Sequence, residues 1–304
     1  MSADSTSAKG ALKAAKQTDQ TLASALLQHS RPVLKTNVAA PAGTAPMLSA
    51  ASTQITGWWH GLSPVDRAFL WQHAGTELQR AGVLSPTTKP NFDVGSGTHG
   101  AWTKAMEKKL GRTGAEILGH FVTFEQRAIG KSLVHIGEAN GFDWAADNMR
   151  HYLGNSGKTK SIDVDHLLTN DPGLSDAVEK KIAEHKSAWK KEAVESFHKT
   201  GGQPIVLEKN LGEWDGRTAD AITDWYAIGS YQYTMTGLVK ATPDADGNPK
   251  VSLDYQVHAT DRYNWDNLKL APMPDLIQGM GHRVGTSQEY DMRGTSKLHS
   301  VPLD

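Results

Sequence analysis

The sequence predicts an α+β protein: a mostly helical N-terminal domain followed by a small antiparallel β-sheet domain. Apolar residues recur at three- and four-residue spacing from residue 55 to about 200, and from about 203 the period drops to two. A third observation marks where the folded part begins. None of the chain's nine Trp, seven Tyr and six Phe lies in residues 1–54, a stretch rich in Ala, Ser, Thr and Lys with Pro32, Pro41 and Pro46. Such a segment buries too little apolar area to offset its ordering entropy. The expected division is therefore a flexible tail or docking arm over 1–54, a helical domain over 55–202 and a sheet domain over 203–304.

The elements follow in order. In "SPVD", Ser63 is an N-cap, Pro64 the first helical residue and Asp66 a first-turn acid. Phe69, Leu70, Leu78 and Val83 continue that helix. "HGAWTKAMEKKLG" and "TGAEILGHFVTFEQRAIGKSLVHIGEANG" give two more, closed by Gly111 and by Asn140-Gly141. Their aromatics, like "GWWHG", read as core. "DWAADNMRHYLGN" is a helix ending at Gly154, and residues 161–202 hold a short helix and then a long one stopping at Gly201-Gly202. "GGQPIVLEKN" reads as a first strand. "GSYQYTMTGLVK" and "KVSLDYQVHA" alternate cleanly, and "PDADGNP" joins them as a hairpin. "SQEYDMRGTSKLHS" reads as the final strand.

The totals exclude several classes. Net charge is −1 over 304 residues, so no nucleic-acid partner is expected. The absence of cysteine removes disulfides, thiol nucleophiles and thiolate metal sites. No apolar stretch is long enough to span a bilayer; residues 114–137 come nearest but carry Glu116, Glu125, Arg127 and Lys131. The N-terminus lacks an apolar signal core, so no secretory signal peptide is visible.

Most motifs fail on spacing. "DADGN" (244–248) begins like a calcium loop, but Tyr255 stands where the bidentate Glu belongs. The thirteen histidines form no H-E-x-x-H pair, "GSGTHG" (95–100) is no phosphate loop, and no serine sits in a G-x-S-x-G elbow. What remains is "DRYNWDN" (261–267), directly after the clearest strand. Asp261 and Asp266, with Tyr263 and Arg262 between them, can bind Mg²⁺ or activate water, while a cation meets charge growing on phosphate oxygens. His282 and Arg283 follow as a candidate acid/base and second clamp. The same residues also suit a strand end that simply caps turns.

Residues 224–297 resemble the catalytic domain of the colicin M family, bacteriocins that cleave the lipid-linked peptidoglycan precursor. The likeness rests on "DWYAIGSYQYTMTGLVKATPDADGNPKVSLDYQVHATDRYNWDN" and "SQEYDMRGTS". Asp261 and Tyr263 match the family's motif acid and phenol. Asn264 stands where the family has an aspartate, and Asp266 where it has an asparagine. The family's His-Arg pair has no counterpart at 268–273; His282 and Arg283 lie about ten residues later, and His258 precedes the motif.

The resemblance implies an antibacterial toxin, loaded into a secretion machine through its tail, that hydrolyses the polyprenyl–pyrophosphate bond of lipid II. Asp261, Tyr263, Asp266, His282 and Arg283 would be catalytic, with Arg262, Asn264 and His258 binding substrate. Mg²⁺ is the implied cofactor. A lipid-linked precursor, a cognate immunity protein and a loading adaptor are the implied partners, and the periplasm or inner membrane of a target bacterium is the site of action. The alternative from another class is a non-enzymatic effector that forms pores or binds a partner.

Overall fold

The structure is a computed structural model and describes residues 55–91, 97–210, 213–265 and 272–303. The expected tail over 1–54 lies outside the described residues. Helical turns at 55–60 lead into α1 (Pro64–Arg80), where the Ser63 hydroxyl accepts from the Asp66 N–H at 3.2 Å and Pro64 opens the first turn. Next comes α2 (Ala101–Ala139), broken at Gly111, whose φ of 71° and ψ of 166° only glycine adopts without strain. The shorter α3 (Asp143–Leu153) stops at Gly154. A two-residue strand, β1 (Lys160–Ser161), precedes α4 (Val164–Asn170) and the long α5 (Pro172–Lys199), capped by the side chains of Asp163 and Asp171 respectively.

The C-terminal half supplies β2 (Ile205–Asn210), β3 (Asp215–Thr218), α6 (Ile222–Ala227), β4 (Ser230–Pro243), β5 (Pro249–Tyr263), α7 (Pro272–Val284), β6 (Tyr290–Thr295) and β7 (His299–Pro302). Among the described residues the strands form one sheet in the order β1-β6-β5-β4-β2, with β3 also on β4 and β7 also on β5. The β4–β5 hairpin turns at Gly247 (φ 84°), and Asp244 Oδ1 accepts from the N–H groups of Asp246 and Asn248. The first acid of "DADGN" thus shapes a turn.

The protein is α+β, with helices mainly N-terminal and strands C-terminal. The expected antiparallel sheet is corrected to a mixed one, because β1 pairs parallel with β6 while every other pair is antiparallel. A two-residue strand is too short to show a period, so the alternation could not reveal it. The expected final strand is two strands, β6 and β7.

Apolar packing crosses the boundary between the halves. Tyr231, Tyr233, Met235, Val257 and Met292 on one sheet face pack with Met149, Tyr152, Leu167, Leu174 and Val178 of α3–α5. Leu238, on the other face, packs with Trp59, Leu70 and Leu78 around α1. Further along, Trp189 and Phe197 of α5 meet Val239, Val251 and Leu253. The expectation that the α2 aromatics join the core is corrected: Phe121 and Phe124 are exposed. Among the described residues no helix is long and apolar enough to cross a membrane.

The β1–β6 join depends on Gly294, where an added Cβ would lie 2.1 Å from the Ile162 carbonyl oxygen. Gly294→Ala is expected to force β1 off the sheet and cost about 2 kcal/mol, read as a lower urea midpoint. An unchanged midpoint would show that β1 contributes nothing to stability.

Candidate functional site

Strand β5 runs into the motif without a break, so its alternation decides where each motif side chain goes. Asp261 opposes Met292 and Tyr263 opposes Tyr290 on one face, while Arg262 opposes Asp291 on the other. Where β3, β4 and β5 come together at the sheet end, a cleft of about 380 Å³ is lined by Asp261, Arg262, Arg217, Tyr231, Thr218 and Ser230, among others. Asp261 and Arg262 share it because a cleft at a strand's end reaches both faces of the pleat.

Arg217 is held firmly. Its Nη2 donates to Asp171 Oδ1 at 2.8 Å and to Asp220 Oδ2 at 2.6 Å, and its Nε donates to Asp171 Oδ1 at 3.2 Å. The Tyr231 hydroxyl donates to Asp171 Oδ2 at 2.9 Å, and the Leu174 N–H donates to Oδ1 at 3.1 Å. Burial alone would raise the Asp171 carboxyl, but the bonds from Arg217, Tyr231 and Leu174 outweigh it and hold its pKa below the ordinary carboxylate value. Gly173 leaves room for this geometry: a Cβ there would sit 1.7 Å from Arg217 Nη2.

Arg262 is held more loosely. Its Nη1 donates to Asp291 Oδ1 at 3.2 Å, while its buried Nε has no hydrogen-bond partner among the described residues and lies 3.8 Å from Glu289 Oε2. The buried Glu289 carboxylate accepts from the Trp265 N–H at 3.2 Å.

The remaining expected residues take other positions. Tyr263 stacks on Tyr290 at 5.1 Å and neighbours Tyr152 and Trp265, and burial raises its pKa well above the usual phenol value. Asn264 is buried. The His282 Nε2 donates to the Gly97 carbonyl at 2.8 Å, and its Nδ1 accepts from the Glu289 N–H at 3.1 Å, so both ring nitrogens are engaged with backbone. Its link to the cleft runs through Glu289, whose Oε2 lies 3.9 Å from His282 Nε2. Arg283 is half-buried on the same helix. Asp266 lies outside the described residues.

His258 is buried between two strands, its Nε2 2.8 Å from Thr236 Oγ1 and its Nδ1 3.0 Å from Thr295 Oγ1. Burial lowers its pKa to about 4. The ring is neutral in the fold and gains a proton more readily when unfolded. Its neutral form therefore costs no stability above about pH 6.5, and the fold weakens as pH falls from about 6.5 towards 4, by about 3 kcal/mol. Urea midpoints against pH are expected to show that slope in the wild type and a flatter one in His258→Asn.

The cleft thus brings together two of the expected residues, Asp261 and Arg262, with Arg217 and Tyr231, which Asp171 holds from behind; sequence reasoning missed these three. Arg217, Tyr231 and Asp171 lie on three separate elements, and no short-range spacing connects them. Chemically, two guanidinium groups, each also paired with carboxylates behind it, and the Asp261 carboxylate can meet a phosphate or pyrophosphate ester: guanidinium forks fit phosphate oxygens, and the carboxylate can take a proton from water. Among the described residues no three His, Asp or Glu side chains converge as a metal cluster. Compared with protein-family models, with curated proteins and with solved structures, the chain matches none.

Proposed function

We propose that this chain is an antibacterial effector, delivered into competing bacteria, whose cleft hydrolyses the polyprenyl–pyrophosphate linkage of a lipid-linked cell-wall precursor in the periplasm. The observation that carries this reading is that one cleft is lined by Asp261 together with two arginines, Arg217 and Arg262. The likeness of residues 224–297 to the colicin M catalytic domain supports the same chemistry. In this reading Arg217 and Arg262 clamp the pyrophosphate oxygens and meet the charge that grows there. Asp261 takes a proton from the attacking water, whose oxygen bonds to phosphorus as the bond to the polyprenol oxygen breaks. The leaving oxygen takes a proton from solvent.

Mg²⁺ needs one or two carboxylates beside phosphate oxygens and waters, a donor set to which Asp261 would contribute; when bound it would neutralise pyrophosphate charge. A cognate immunity protein and a loading adaptor that engages the tail complete the proposed partners.

The test is incubation of the purified full chain with a polyprenyl-pyrophosphate substrate and Mg²⁺. Release of polyprenol, together with killing of a sensitive strain on periplasmic delivery, is expected. Killing without release of polyprenol would overturn the reading.

A further inference from the structure

The two faces of α2 are reversed relative to an ordinary surface helix. Its buried positions carry mostly small or polar side chains, Ala115, Gly119, Thr123, Gln126, Gly130 and Gly137, with Val134 as the one larger apolar exception. Neighbouring helices come close on this side. A Cβ at Gly119 would lie 3.0 Å from Val284 Cγ1, one at Gly130 2.9 Å from Leu153 Cδ2, and one at Gly137 3.1 Å from Ala146 Cβ. Gln126 Nε2 donates to Gln278 Oε1 of α7 at 2.6 Å across the seam. The large apolar side chains point the other way: Phe121 is 77 % exposed, Phe124 73 % and Ile117 54 %. Their spacing of four and then three residues puts them on one face.

An amphipathic helix in water buries its large apolar residues and exposes its polar ones. A seam of small residues and side-chain amides, with bulky apolar groups facing outward, is instead how helices pack when their outer surroundings are lipid. Because no described helix can span a bilayer, the geometry fits a helix lying in the plane of the interface. Charge selects the occupant. Residues 104–131 hold six Lys or Arg against three Glu, in a chain whose net charge is −1. The positive excess is therefore local, and Lys108, Lys109 and Arg112 lie exposed beside Leu110.

We propose that the outward face of α2 docks the protein on an anionic lipid bilayer, with Ile117, Phe121 and Phe124 entering the headgroup–acyl boundary and the basic side chains meeting anionic headgroups. This face is separate from the cleft, and the proposal stands whether or not the cleft hydrolyses pyrophosphate.

The test is flotation of the full chain with vesicles of phosphatidylcholine, with and without phosphatidylglycerol. The wild type is expected to float with the anionic vesicles, less so at high salt. Phe121→Ser/Phe124→Ser is expected to lower that partition at least about tenfold, with an unreduced urea midpoint because both side chains are already exposed. Lys108→Glu/Lys109→Glu is expected to abolish the preference for anionic vesicles. Failure of the wild type to bind, or equal binding by the Phe double variant, overturns the proposal. So does a wild-type dimer that the Phe double variant converts to monomer without any vesicle binding, since the occupant would then be a second copy of the chain.

Discussion

Replacing Asp261 by asparagine is expected to lower hydrolysis of a polyprenyl-pyrophosphate substrate by about 10²–10⁴-fold, the usual contribution of a positioned proton acceptor. The side chain keeps its shape and loses its charge, so the cleft retains both guanidinium groups and the substrate still binds. The loss should fall on kcat rather than KM. Asp261 is half-buried rather than part of the apolar core, so the urea midpoint should hardly move. Turnover within a few-fold of wild type would remove Asp261 from the mechanism and leave the cleft as an anion-binding surface.

Asp171→Ala is expected to give the largest loss of stability. Three separate groups converge on this fully buried carboxylate: the Arg217 guanidinium, the Tyr231 hydroxyl and the Leu174 N–H at the start of α5. Alanine removes the helix cap, leaves Arg217 with Asp220 as its remaining carboxylate partner and strands a buried phenol. Breaking one side of such a pair costs about 3–5 kcal/mol, and the lower end applies here because the Arg217 side chain stays 20 % exposed to water. Asp171→Asn keeps an acceptor for the cap, and its amide N–H can donate to the Tyr231 hydroxyl where Oδ2 had accepted, so it should recover part of the stability. It should not recover the charge that holds Arg217, and KM is expected to stay raised. If Asn and Ala variants hydrolyse as well as wild type, Arg217 does not need Asp171 to serve the cleft.

What the sequence made legible, and what it did not, follows from range. Ser63, Gly111, Gly154 and the period-two hairpin act through neighbours within a few positions, and each lies where its local chemistry requires. The motif was found because Asp261 and Arg262 are adjacent. Its partners were not, because Arg217 reaches Asp171 across 46 positions and two elements. His282 and His258 drew attention as ionisable groups in a polar-looking stretch. Their nitrogens instead satisfy backbone and threonine groups in the interior, which residue type alone does not reveal. The α2 aromatics were assigned to the core by their residue type, whereas glycines and a glutamine occupy the inner side.

The strand-rich C-terminal half is not a transplantable module. Strand β1 and Asp171 both belong to the stretch before residue 203, yet one edges the sheet and the other anchors a cleft arginine. Grafting residues 203–304 alone onto another N-terminal region would carry the aspartate–arginine motif without its scaffold. Exchange between such proteins by recombination is therefore expected to break upstream of residue 160, not at the visible change of period.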